Sequence, residues 1–271
     1  MDRIREASEY IKGRTGLRPR AGIILGTGLS GLASAIEGGV SIPYSDIPHF
    51  PQSTVQSHKG ELIIGKLGEV TVVAMAGRFH YYEGYNMKEV TFPVRVMKLL
   101  GVERLVVSNA SGGASLRVAA GDLAIITDHL NLFPDNPLRG ANLDELGPRF
   151  PDMVDAYDKE MILLAKKIAV ESGIDLKEAV YAGVPGPNLE TRAEFLYFRS
   201  IGADVVGMST IPEVLVARHM DIPVMAFTAV TNEGWSEDRV PATVEEVIEQ
   251  SGEIAPKMES MVKSVLNTIL G

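Results

Sequence analysis

Apolar positions along the chain fall into two rhythms, one repeating every three to four residues and one of short unbroken runs, and the two alternate from end to end. Ile4, Ala7 and Ile11 recur at helical spacing over residues 2–13, with Gly13 as the stop. Gly22-Ile23-Ile24-Leu25 predicts a short buried strand that runs into a glycine-rich stretch, Gly26 to Gly31. Residues 42–51 hold three prolines and predict an irregular loop. Leu62–Leu67 and Val70–Met75, split by Gly68-Glu69, predict a hairpin. Asn86 is placed to cap a helix that runs through Leu100 and stops at Gly101, and Pro93 inside it implies a kink or a later start. Further strands are predicted at 105–109, 123–128, 179–183, 204–207 and 223–230. Helices are predicted at 154–172 and 243–269. Between them, residues 131–152 carry four prolines and little periodicity, the mark of a long functional loop. Strands alternating with helices predict an α/β fold with a parallel or mixed sheet, and the even composition predicts one domain over residues 1–271.

Composition narrows the function. Of 271 residues, 45% are hydrophobic and 23% charged, enough apolar material for a substantial core. The net charge of −9 argues against a basic face for nucleic acid or an anionic membrane. Cysteine is absent, which excludes disulfides, thiolate nucleophiles and Cys-ligated metals. No apolar run approaches the ~18–20 residues of a membrane span. The opening MDRIREASEYIKGR lacks the apolar core of a secretory leader, so a soluble, cytoplasmic protein is expected.

Several segments carry chemistry. Gly26-Thr27-Gly28-Leu29-Ser30-Gly31 satisfies G-x-G-x-x-G, and Asp46 lies twenty residues beyond Gly26, which on pattern alone is a dinucleotide fingerprint. Asp46, however, sits between Pro43 and Pro48 rather than at the end of a second strand, so the ribose geometry fails. The stretch can instead hold an anion through backbone N–H groups and the Thr27 hydroxyl, or be a plain turn. GRFHYYEGY (77–85) follows a predicted strand: Arg78 offers a planar charged fork for phosphate oxygens, and His80 can donate to the same anion. The alternative is an aromatic cap on a strand with a surface salt bridge. His58-Lys59-Gly60 and the strand-end turn Asn109-Ala110-Ser111-Gly112-Gly113 are weaker candidates. The five histidines show no metal-ligand spacing, and neither HExxH nor G-x-S-x-G is present.

In order, ILGTGLS (24–30), HKG (58–60), GRFHYYEGY (77–85), TFPVRVMKLLGV (91–102), SNASGG (108–113), DHLNL (128–132), NPLRG (136–140), GPNLET (186–191), GADVVGMSTIPE (202–213) and TN (231–232) resemble the purine nucleoside phosphorylases of the homotrimeric low-mass kind. The resemblance spans nearly the whole chain. It implies a mixed sheet partly closed into a distorted barrel and flanked by helices. It implies a pentosyltransferase in which inorganic phosphate, a co-substrate rather than a cofactor, displaces a purine from C1′ with inversion. By the same resemblance, phosphate is held by Thr27, His58, Arg78, His80, the backbone N–H of Ala110, and Ser209. Tyr82 and Met208 face the ribose, with Val244 where relatives place a histidine for the 5′-hydroxyl. Glu190 and Asn232 receive the base, catalysing with His80, and Leu189 and Val206 complete the base pocket. A carboxylate that accepts from N1–H selects 6-oxopurines such as those of inosine and guanosine. Glu190 also has a helix-capping alternative, since the residues after it open a helix.

Some residues depart from the pattern. Thr27 stands for a serine, Leu189 for a stacking aromatic, and Leu146 for a phenylalanine that reaches the neighbouring subunit's site; Glu233-Gly234-Trp235 is also unusual. Val244 would tolerate a 5′-deoxy or 5′-thioether group, which makes a methylthionucleoside phosphorylase the runner-up. An NAD-dependent oxidoreductase and a non-catalytic nucleoside sensor are more distant alternatives.

Overall fold

The strand β1 (Ala21–Leu25) is buried at every position and runs parallel to β4 (Val70–Ala76) on one side and to β5 (Arg104–Gly113) on the other. This is a computed structural model that describes residues 1–26, 31–54, 59–236 and 243–271. A strand covered on both faces needs an unbroken apolar run, and Ala21 to Leu25 supplies one. Beyond β4 the sheet continues antiparallel through β3 (Glu61–Leu67) to the edge strand β2 (Glu37–Pro43). The predicted hairpin is therefore present.

On the far side the sheet closes. β5 pairs with β9 (Val224–Glu233), β9 with β6 (Leu123–Asn131), β6 with β7 (Leu176–Gly183), β7 with β8 (Val205–Gly207), and β8 returns to β5. The result is a five-strand barrel of mixed direction that shares β5 with the open sheet. Because β9 follows one edge of β5 throughout, β1 and β8 must share the other edge. β1 pairs with Arg104 to Val107, and β8 with Gly112 and Gly113. From Ser108 to Ser111 the edge between them carries no strand among the described residues, and there the sheet opens.

Helices cover both faces. α1 (Asp2–Lys12) buries Ile4, Ala7 and Ile11 and packs on α4 (Phe92–Leu100). The short α2 (Gly31–Ser34) and the long α8 (Val244–Leu270) lie together. α5 (Lys159–Glu171), α6 (Arg192–Ser200) and α7 (Ile211–His219) complete the shell. No helix among the described residues is long and apolar enough to cross a membrane.

Four local differences from the sequence reading have physical causes. β2 overlaps the predicted 42–51 loop; as an edge strand that buries only Ile42, it shows no alternation to read. The predicted Asn86–Leu100 helix is broken into α3 (Met87–Val90) and α4, because Pro93 has no N–H to continue the ladder and Thr91 becomes the junction. The helix predicted from 154 begins at Lys159, where the Asp158 side chain accepts the Met161 N–H at 2.8 Å and fixes the start. Finally, Asn109–Gly113 is not a turn but the second half of β5.

Candidate active site

The cavity sits at the opening of β5, where four strand ends converge. Its volume is about 160 Å³. Arg78, His80 and Tyr82 enter from the segment after β4, Asn109 to Gly112 from β5 itself, Val206 to Ser209 from the end of β8, and Thr231 and Asn232 from the end of β9. Leu189 and Glu190 close it from the segment before α6. Ten of the residues singled out in the sequence thus line one space: Arg78, His80, Tyr82, Ala110, Leu189, Glu190, Val206, Met208, Ser209 and Asn232. Thr27 and His58 lie outside the described residues, although Gly26, just before Thr27, lines the cavity.

One wall is basic. Arg78 is only 2% exposed, its Nη1 donates to Ser209 Oγ at 2.9 Å, and its Nε lies 3.3 Å from Glu213 Oε1. Glu213, itself buried in the first turn of α7, aims one edge of the guanidinium and balances its charge. Ser209 is fixed in turn by Tyr181, whose hydroxyl accepts the Ser209 N–H at 3.2 Å. Thr210, next in sequence, holds φ 71° and ψ −57° without being glycine, and Asn109 Nδ2 donates to its hydroxyl at 2.8 Å. Backbone in that region costs roughly 1–3 kcal/mol and persists only where its surroundings enforce it.

His80 is buried beside Glu83, with Nδ1 3.1 Å from Glu83 Oε1. Burial opposes ionisation of Glu83, yet hydrogen bonds from His80 and from the Thr54 hydroxyl and N–H hold its carboxyl down to about 2. Burial also lowers His80 below the ordinary imidazole range, against the pull of Glu83. Tyr82 stacks on the ring at 4.6 Å, and burial pushes its phenol up to about 12.

Gly26 lets β1 end tight against β5. A side chain there would place Cβ 2.7 Å from the Ser108 carbonyl oxygen and 2.8 Å from Asn109 Cα, both backbone. The Ser108 hydroxyl bridges the two strands, donating to the Ile24 carbonyl at 3.0 Å and accepting the Gly26 N–H at 3.3 Å.

The same cavity is also lined by a carboxylate, Glu190, and an amide, Asn232. Asn232 pairs in register with Gly112, and its Oδ1 accepts the Thr231 hydroxyl at 3.2 Å. Helix capping does not occupy Glu190. The cap of α6 is Thr191, which accepts the Glu194 N–H while Glu194 accepts in return.

One residue is placed differently from the sequence reading. Val244 is 67% exposed at the start of α8 and does not line the cavity; Val247, one turn on, does. Leu146 is half-buried against the core of its own chain, whereas Phe150 is 87% exposed. Phe150 is therefore the outward apolar side chain of the long loop. Sequence reasoning also missed Glu213, Thr210 and Glu83. Glu213 left a signal as a lone acid in the apolar run Ile211 to Ala217, and Glu83 left one in its place three residues after His80, whose backbone N–H it accepts. Among the described residues, no group of three or more His, Asp or Glu side chains is placed to hold a metal ion.

A mixed sheet that closes into a five-strand barrel, with its cavity at the opening of the shared strand, is the architecture of one class of enzymes. The chain belongs to that class, the phosphorylase superfamily, which it matches over residues 20–267, and within it to the purine nucleoside phosphorylases. Purine nucleoside phosphorylase 1 of Bacillus subtilis (strain 168) is 48% identical over 265 residues, covering 98% of each chain. The purine nucleoside phosphorylase of Bos taurus is 44% identical, over 97% of this chain and 94% of that protein. Among solved structures, Schistosoma mansoni purine nucleoside phosphorylase in complex with inosine superposes with a TM-score of 0.93 at 40% identity, covering 98% of this chain and 96% of that one.

Proposed function

We propose that this chain, acting as a single domain, catalyses reversible phosphorolysis of 6-oxopurine nucleosides such as inosine and guanosine, with inorganic phosphate as co-substrate. The observation that carries this reading is the union of two sets of groups: Arg78, His80, Ser209 and the Ala110 backbone face the same small cavity as Glu190 and Asn232. A relative of known structure binds inosine, and another complex of a Schistosoma enzyme holds guanosine.

Phosphate binds between Arg78, Ser209 and the Ala110 N–H, on the open edge of β5, with Thr27 and His58 as its remaining partners. His80, oriented by Glu83 through Nδ1, donates to the same anion, and the bound phosphate presents an anionic oxygen to C1′. As the glycosidic bond lengthens, the sugar gains oxocarbenium character and the nearby anion stabilises it. Tyr82 and Met208 pack on the ribose. Asn232 donates to N7 of the departing purine while Glu190 accepts from N1–H, and Val206 and Leu189 bound the ring. The assembly is a homotrimer in the cytoplasm, with the loop that carries Leu146 and the exposed Phe150 as its contact with the neighbouring subunit.

The test is phosphate-dependent release of hypoxanthine from inosine, and absence of that release with phosphate present would refute the reading. A second reading, preference for a 5′-methylthio nucleoside, is favoured by the apolar Val247 on the cavity wall. Comparing inosine, adenosine and 5′-methylthioadenosine separates them, because Glu190 and Asn232 as assigned reject the adenine of the last two.

A further inference from the structure

A second and larger cavity, about 800 Å³, lies between the start of α1, residues 49–52, α4 and the 137–143 part of the long loop. It shares no residue with the active site. Arg95 of α4 lines it while being only 7% exposed. Its Nη1 is enclosed with no hydrogen-bond partner, and among the described residues no carboxylate pairs with the guanidinium. Burial alone pushes Arg95 down to about 10, with no neighbouring acid to oppose it.

The groups around Arg95 do not supply a counter-charge. His219 is lowered first by burial and then by Arg95 itself, so it is neutral, and its Nε2 lies 3.0 Å from Asn142 Oδ1. Two acids line the cavity, and both are turned to other work. Glu89 accepts the Asn86 N–H at 2.9 Å in the cap of α3, and Asp2 faces Arg5 at 3.6 Å. A guanidinium keeps its proton at neutral pH, and burying one without a counter-charge is strongly unfavourable. Its planar fork matches carboxylate and phosphate oxygens. Phe50, Tyr85, Phe92 and Leu138 supply an apolar and aromatic part of the wall, and Arg3, His49, Gln52, Asn86, Lys88 and Asn142 supply a polar part that carries no further acid. Concave, mainly apolar spaces of about 300–1,000 Å³ with a few placed polar groups are the usual form of small-ligand sites.

We propose that this cavity binds a small organic anion, a carboxylate or phosphate on an aromatic or aliphatic body, with Arg95 gripping the oxyanion and Phe50, Tyr85 and Phe92 enclosing the body. The test is calorimetric titration of 2-naphthoate into the full chain and into its Arg95→Met, Arg95→Lys and Arg78→Met variants. Expected are saturable binding at one site per chain, at least tenfold weakening in Arg95→Met, a smaller loss in Arg95→Lys, and retention in Arg78→Met. Ligand-free Arg95→Met melts above the wild type, since it loses an uncompensated buried charge, and naphthoate raises the melting temperature of the wild type but not of this variant. Phosphorolysis of inosine by Arg95→Met stays within twofold of wild type. Absence of saturable binding, equal affinity in Arg95→Met, or loss confined to Arg78→Met each overturns the proposal. So does an Arg95→Met variant that binds no naphthoate but sediments as a smaller species than the wild type, because the counter-charge would then come from a second copy of the chain.

Discussion

Arg78 is held so that its charge is balanced from behind by Glu213 while another edge reaches Ser209 and the cavity. Glu213→Gln keeps the shape and removes the charge. Hydrogen bonds to charged groups contribute about 1.5–3 kcal/mol, so KM for phosphate should rise roughly tenfold or more while KM for inosine moves less than about twofold; initial-rate kinetics with each substrate varied will show the split. Asn232→Ala removes a donor that matters as charge builds on the base, and kcat for inosine should fall on the order of a hundredfold. Glu83 gives a pH signature. Its carboxyl lies at about 2 when folded against an ordinary 4.5, so its contribution to stability is full above 4.5 and is lost as pH falls toward 2. Glu83→Gln should flatten that part of the melting-temperature profile, measured between pH 5 and pH 2.5. Arg78 was legible from its own strand-end motif, whereas Glu190 and Asn232 were singled out only through the family resemblance; all three line the one cavity. Thr210 was not legible, since its strained φ exists only once Asn109 of β5 has met the start of α7, and Glu83, although His80 lies three residues before it, was passed over as a carboxylate inside an aromatic segment.

At the level of elements, the opening between β1 and β8 on the edge of β5 creates the place where an anion can meet backbone N–H groups. Gly26 guards it. Gly26→Ala would drive Cβ into the backbone of Ser108 and Asn109, at 2.7 and 2.8 Å, and neither can yield as a flexible side chain could. The expected result is a lower melting temperature together with weaker phosphate binding, read by thermal unfolding with and without phosphate. The buried strands β1 and β9 announce themselves as apolar runs, and capping residues such as Thr243 mark helix starts in the sequence itself. The edge strand β2 stayed hidden because nearly every side chain on it faces solvent. The start of α5 was misplaced because apolar positions continue upstream of the Asp158 cap into a stretch that only turns.

For the whole molecule, the α/β class follows from alternation, but closure of β5, β8, β7, β6 and β9 into a ring does not. Ring closure depends on pairings between residues more than a hundred positions apart, such as Ser111 with Val230, which no local rhythm records. The proposed association is likewise a matter of exposed side chains rather than of the pattern. Phe150, 87% exposed, is a large apolar side chain that a single chain leaves in water. Sedimentation velocity should give a trimer for the wild type, and Phe150→Ser should shift it toward smaller species and lower kcat/KM for inosine at dilute enzyme.

The ladder between β5 and β9 has a consequence for how such an enzyme can be retuned. Ala110 is opposite Ala229 and Gly112 is opposite Asn232 on the same pair of strands, with the register shifting by one residue between them, so under the proposed roles the spacing from phosphate to base is set by main-chain geometry. Engineering toward bulkier heterocycles therefore has to work at the other side, through Leu189 and Val247, where a side chain can be trimmed without moving the ruler.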